Sequence, residues 1–394
     1  MTEKEAKEKP AQEQAPATAE EPSVVLMPQL LSEEELREGW VSLFDGQTLF
    51  GWHAHSKADW QVKDGAITVT GGEPGLLCTP VRFADYVLKV DVQTDATSNS
   101  GIFLRTPPVV GKEDVTTRCY ELNMAPSDNP FPTGSLVGRK KVEKPFDLTQ
   151  WTTIEARCEG NHITVTIGGE VVCDYTDEKP TLSGLIGLQL NSGRASFKNV
   201  RLLPLSQKSI FPGENLSGWK QPEGSKSRFS LTPEGELLVE DGRGCLETEG
   251  EYQDFCVQLE CKTLAADLNG GLFLRCIPGE LMNGYESQIH NGLVDGDRTK
   301  PKDCGTGGVF RRVNARYVVS DDLTWFTKTI VVDGDRIATW VNGYCVTDWQ
   351  DTRELNDNPR NGLRKKAGTL QIQGHDPTTK ILFRKMSVAT LPSE

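Results

Sequence analysis

The 394-residue chain lacks any apolar run near the ~18 to 20 residues that a membrane-spanning helix requires; stretches such as 24–27 are only a few residues long. That excludes a transmembrane helix. It also lacks a basic excess: 43 Lys and Arg stand against 56 Asp and Glu, and a net charge of −13 repels a nucleic-acid backbone. No C-x-x-C pair or metal-like cluster occurs among the ten Cys residues, so a structural zinc site is not expected. Domains of this size need no staples, and buried free thiols are expected ahead of disulfides. The start has no basic-then-apolar signal segment, and no aromatic residue precedes Trp40. Residues 1–31, rich in Glu, Lys, Ala, Gln and Pro, therefore read as a disordered leader. A spacer of this kind fits a periplasmic or cell-surface protein, with the cytoplasm as the alternative.

What is present points to a turn-rich globular protein. At ~100 to 200 residues per domain the length suggests two cores, and 38 Gly and 22 Pro punctuate short alternating segments. Ser32 and Glu35 stand at capping-box spacing before Leu36, predicting a short helix against the first domain.

Comparing the halves reveals an internal duplication at a period of roughly 170 residues. Leu43-Phe-Asp-Gly with Gly51-Trp52 recurs as Ile210-Phe-Pro-Gly with Gly218-Trp219. Ser100-Gly-Ile-Phe-Leu-Arg105 recurs as Gly270-Gly-Leu-Phe-Leu-Arg275, Tyr120-Glu121 as Tyr285-Glu286, and Trp151 as Trp325. Two domains, 32–206 and 207–394, follow. Within each, strands of ~5 to 8 residues joined by turns such as Gly168-Gly169 and Asn342-Gly343 predict an antiparallel sandwich. Trp52, Trp60, Trp219 and Trp325 are expected as core fillers; His53, His55 and His162 as surface residues.

The order of these blocks, with a Tyr-Glu-x-Gln segment and a closing Phe strand, resembles the domain of unknown function 1080, the 3-keto-disaccharide hydrolase family. The likeness runs from Leu43 to Leu391 in two copies. The second copy is the closer, through Asn283-Gly-Tyr-Glu-Ser-Gln-Ile-His290, Cys304-Gly-Thr-Gly-Gly-Val-Phe-Arg311 and Gln373-Gly-His-Asp-Pro-Thr378. The first departs: Glu121-Leu-Asn123 replaces Glu286-Ser-Gln288, Asn191-Ser-Gly193 replaces Gln373-Gly-His375, and nothing matches His290. The resemblance implies two tandem concanavalin A-like jelly-roll sandwiches, all-β, with the second active and the first a binding or scaffold copy. It also implies cleavage of 3-keto-glycosides with no cofactor, on a carbohydrate supplied by a sugar 3-dehydrogenase.

A ketone at carbon 3 acidifies the hydrogen on carbon 2, so the aglycone can leave by β-elimination from an enolate and water can add afterwards. The route needs a base, a group to hold the enolate oxygen, and an acid for the leaving oxygen. Along a strand from Tyr285, the period of two puts Glu286, Gln288 and His290 on one face. Glu286, His290 and His375 are the candidate acid and base groups, with Asp376 placed to orient the His375 ring. Arg275 and Gln288 are candidate sugar contacts, although Arg105 at the same point of the other copy leaves a structural ion pair open for Arg275. Of Trp340, Tyr344 and Trp349, one or two should fill the core, and Trp349 is the candidate stacking face. Asp295-Gly-Asp297 offers too few carboxylates for calcium, and no metal is expected. Gly305 to Gly308 lacks the Lys-Ser/Thr ending of a phosphate loop. Two other readings stay open: a lectin-like protein whose two copies act by avidity, and an ordinary glycosidase pairing Glu286 with Asp376 or Asp297.

Overall fold

The computed structural model describes residues 27, 29–108, 116–144, 146–211 and 213–392. Strands dominate it, and the one α-helix among the described residues, Glu33–Glu38, carries the expected capping box: Ser32 Oγ accepts from Glu35 N, and the Glu35 carboxylate accepts from Ser32 N. Among the described residues no helix is long and apolar enough to cross a membrane. Most of the expected leader lies outside the described residues. Its last residue does not behave as a leader, because Leu31 is only 3% exposed and packs with Trp40 and Val87.

Each half is a sandwich of two antiparallel sheets. In the first, the larger sheet runs Glu170–Thr176, His162–Ile167, Thr152–Glu159, Tyr86–Thr94, Ala195–Pro204, Ala66–Val69, Gln61–Lys63, with Val41–Ser42 beside the Ala195–Pro204 strand. The smaller runs His53–Ala54, Gly75–Cys78, Leu185–Ser192, Asn99–Thr106, Tyr120–Met124. The second half repeats both orders strand for strand, its smaller sheet running Trp219–Lys220, Gly244–Thr248, Thr369–Gly374, Gly270–Cys276, Tyr285–Ile289. It adds one hairpin, Leu293–Val294 with Asp297–Pro301. The jelly-roll expectation is met, and alternation is its cause: the Thr152–Glu159 strand buries Ile154, Ala156 and Cys158 and turns Thr153, Glu155 and Arg157 outward.

The two sandwiches are joined by a shared apolar seam. Trp340, Val331, Ala338 and Leu391 of the second half belong to the core of the first. Trp340 Nε1 donates to Ser42 O at 3.0 Å, Ser42 N to Gly343 O at 2.9 Å, and Arg82 pairs with Asp333 at 2.6 Å. His53, 40% exposed in its side chain, keeps to the surface as expected and also meets Asp348 of the other half at 2.7 Å. Trp52, Trp60 and Trp219 are buried as expected. Trp325 is not a core filler: it lies half-buried under Arg384, whose guanidinium sits 3.9 Å from the ring centroid, as Lys198 covers Trp151 at 4.1 Å. All ten cysteines are free thiols, nine of them buried.

Candidate functional site

The Tyr285–Ile289 strand lies at the open edge of the smaller sheet in the second half. The glycine-rich segment after Asp303 closes that edge, with Gln288 N donating to Gly308 O, Gly307 N to Gln288 O and Phe310 N to Glu286 O. Between strand, segment and neighbouring loops lies a cavity of about 380 Å³. Glu286, Gln288, Gln373 and His375 line it from the sheet side; Asp303, Phe310, Arg311, Arg243 and Arg360 come from loops. Gly271 makes the floor possible, since a Cβ there would stand 3.1 Å from Glu286 Cγ and 3.2 Å from Oε1.

The cavity is polar and charged. Burial pushes the Glu286 carboxyl up to about 7; Asp303 adds to the rise, and Arg360, Lys328 and Arg311 oppose it. Arg360 Nη2 stands 4.0 Å from Glu286 Oε2 and is held by Met282 O at 2.8 Å. Asp303 Oδ2 accepts from Asn269 Nδ2 at 2.5 Å and from Gln288 Nε2 at 3.0 Å. The side-chain oxygens of Gln288 and Gln373 are buried and accept no hydrogen bond, as are those of Asn123 and Gln189 in the first half. His375 Nδ1 lies 2.8 Å from Asp376 Oδ2. Thr378 first, then the His375 ring, hold the Asp376 carboxyl down at about 2 against the opposing effect of partial burial. The Asp376 carboxylate thus fixes an imidazole whose other nitrogen is free to exchange a proton.

Glu286, Gln288 and His375 thus share one cavity, with Asp376 directly behind. Three sequence candidates fall elsewhere. Arg275 is fully buried under the sheet, out of reach of a sugar, and four of its five guanidinium N–H groups go to Gln253 O, Gly334 O, Arg364 O and Asp254 Oδ1. Trp349 belongs to the opposite sheet, where it packs against Tyr285 with ring centroids 5.9 Å apart. His290 follows the last residue of the strand and turns away from the cavity lining; its Nδ1 accepts from Gly292 N at 3.1 Å. Asp297 is also absent from the lining, bonded to Thr299 and Lys300. The sequence reading missed Asp303, Arg243, Arg311, Arg360 and Gln373. Gln373 and Arg311 stand within family-like blocks and could have been found; Arg243 and Arg360 lie in loops without periodicity. In the first half the residue matching Gln288 is Asn123, whose amide donates to Phe131 O.

Twin antiparallel sandwiches, the second with a polar cavity that holds the buried Glu286 and the Asp376-held His375, make this a tandem jelly-roll protein. Residues 39–203 and 206–389 each match the 3-keto-alpha-glucoside-1,2-lyase-like domain, and the chain belongs to that family. An 88-residue stretch is 28% identical to a 3-keto-disaccharide hydrolase of Bacteroides thetaiotaomicron, covering 19% of this chain and 30% of that protein's length. Among solved structures, a Parabacteroides distasonis protein provisionally described as a glycosyl hydrolase is 19% identical, with a TM-score of 0.41 over 45% of this chain and 99% of its own. The carbohydrate-binding module CBM66 of Bacillus subtilis is 14% identical, with a TM-score of 0.31 over 38% and 94%.

Proposed function

We propose that the second sandwich cleaves 3-keto-glycosides by elimination, and that the observation carrying this reading is the buried Glu286 facing one cavity with the Asp376-held His375. Ionised Glu286 takes the proton from carbon 2 of the sugar. The electron pair moves onto the carbon 3 oxygen, which Arg360 and Arg311 meet with guanidinium N–H groups. His375 then gives a proton to the departing oxygen as the bond to carbon 1 breaks, and water adds to the unsaturated sugar. Gln288 and Gln373 orient the ring through their spare oxygens, and Phe310 offers an apolar face. The first sandwich serves as scaffold, and its shared seam with the second holds the active half in shape.

The test is to incubate the protein with a 3-keto-disaccharide and with its unoxidised parent and to follow sugar release. Release from the keto form alone supports elimination. Release from the parent selects an ordinary glycosidase, for which the facing carboxyl groups are Glu286 and Asp303 rather than Asp376 or Asp297. Binding of sugar without release from either selects a lectin-like role.

Two predictions follow from the charges. Because Glu286 must be ionised to act as base and burial raises it to about 7, kcat/KM should fall below pH ~7, not below the pH 4 to 5 of an ordinary glutamate. A pH profile with its acid limb near 4.5 would remove Glu286 as the base. His375→Gln should lower turnover by about 100-fold through loss of the proton donor, with unfolding by urea unchanged because the ring is half-exposed; a loss below tenfold would place the acid elsewhere.

A further inference from the structure

Lys328 lies in the core of the second sandwich with no exposed surface. It stands on the Phe326–Asp333 strand of the larger sheet, in register with Leu259 and Val341. The first half shows what this position asks for: three residues after Trp151, as Lys328 is three after Trp325, stands Ile154, in register with Val90 and equally buried. An isoleucine therefore satisfies the fold here. Burying an ammonium instead carries a penalty of several kcal/mol unless something compensates it. No carboxylate lies within 4.0 Å of Lys328 among the described residues' ion pairs. The side chain crosses the sandwich and gives hydrogen bonds to Ser287 O at 3.1 Å and Gln288 O at 2.9 Å, the carbonyls that follow Glu286.

We infer that Lys328 is a positioning residue for the site: a buried cation beneath the edge strand that fixes the Glu286–Gln288 backbone and favours the anionic form of Glu286. The groups facing Lys328 are Glu286 and the thiols of Cys261 and Cys304. Burial pushes both thiols up to about 12, so they are neutral at working pH and Glu286 is the anion that Lys328 serves. Around Glu286 itself stand Arg360, Asp303, Lys328 and Arg311. Arg360 and Arg311 approach from the cavity, where a substrate would engage them; Lys328 approaches from the core and stays whatever the cavity holds. Burial pulls its ammonium down to about 8, which still leaves it mostly charged at pH 7. The lysine is thus present in the half whose cavity holds Glu286 and His375, and a plain aliphatic, Ile154, stands at its place in the other half.

The kinetic part of this inference rests on Glu286 being the base, so the decisive experiment needs no sugar. With lysine Cε labelled with 13C, the Lys328 resonance is titrated in the full chain as wild type and as Glu286→Gln. Charge coupling is reciprocal: removing the carboxylate should lower the Lys328 pKa by about one unit. Identical titration curves overturn the inference. In Lys328→Ile, which installs the residue of the duplicate, the Glu286 carboxyl should titrate about one unit higher, and the acid limb of kcat/KM should rise with it. A purely structural lysine predicts a lower melting temperature with the limb unmoved. If Lys328→Ile fails to fold, the Glu286→Gln titration still decides. If no sugar is turned over, the proposed reaction fails while the charge coupling stands or falls on the resonance alone.

Discussion

Glu286→Gln should abolish most turnover, by at least about 100-fold, and at the same time stabilise the protein above pH 7. The amide keeps the shape of the side chain, so Gly271 still leaves it room and the cavity is unchanged. What it loses is the capacity to take a proton. The stability effect follows from the raised carboxyl. In the unfolded chain Glu286 ionises near 4.5, in the fold near 7, so between those values the native state binds more protons than the unfolded one. Native stability therefore falls as pH rises through that window and the deficit is complete above about 7. Glutamine has no such window. At pH 4 both proteins carry a neutral side chain and should unfold at the same urea concentration; at pH 8 the variant should be more stable by on the order of 2 to 3 kcal/mol. Equal midpoints at pH 8 would show that Glu286 is not held in a desolvated place. A variant that loses function and gains stability is the signature of a strained functional group and not of a packing residue.

The fold was legible because its signals are local and doubled. A period of two, turn residues between strands and a second copy of each block constrain the sheets from both directions, and the capping box at Ser32 is a four-residue motif complete in itself. The site was legible only where a residue lies within a regular strand or a family-like block. Glu286 and Gln288 follow from alternation in the Tyr285–Ile289 strand, but extending the same period to His290 fails, because the strand ends at Ile289 and the ring folds back onto Gly292 N. Arg243 and Arg360 reach the cavity from irregular loops, whose course depends on long-range contacts such as Arg360 with Met282 O. Trp349 is the stacking candidate in the sequence, yet pairing with the Arg336–Val341 strand places it on the far sheet. Pairing partners across a sandwich are not encoded in any short window.

Arg275 shows the same limit most sharply. At the end of an apolar strand an arginine should point onward into solvent or a ligand, but Arg275 has φ +48°, in the left-handed region, which turns the chain and leads the side chain back beneath the sheet. Arg105 does the same at φ +54°. The partners correspond atom for atom: Nε to the carbonyl of Gln253 or Ala84, Nη1 to Gly334 and Arg364 or to Gly160 and Thr181, Nη2 to Asp254 or Asp85. Each arginine therefore ties the end of its own strand to the ends of two paired strands of the larger sheet and to a loop. Arg275→Met should lower stability by about 3 to 5 kcal/mol, since it strands three carbonyls and takes the guanidinium from the Asp254 carboxylate, which keeps only Gly334 N and the more distant Arg82. Arg105→Met should cost a similar amount although the first half is assigned no chemistry. Lysine should rescue neither, because three donors on a point charge cannot reproduce a planar fork with five. The measurement is urea unfolding of both variants, with KM determined for whichever fraction remains folded. A raised KM in Arg275→Met with unfolding unaltered would return this residue to the substrate site. Matching losses in the two halves, with KM unchanged, would mean that the duplication preserved Arg275 for the architecture, while the imidazole of His375 and the buried Lys328 are where the two copies differ.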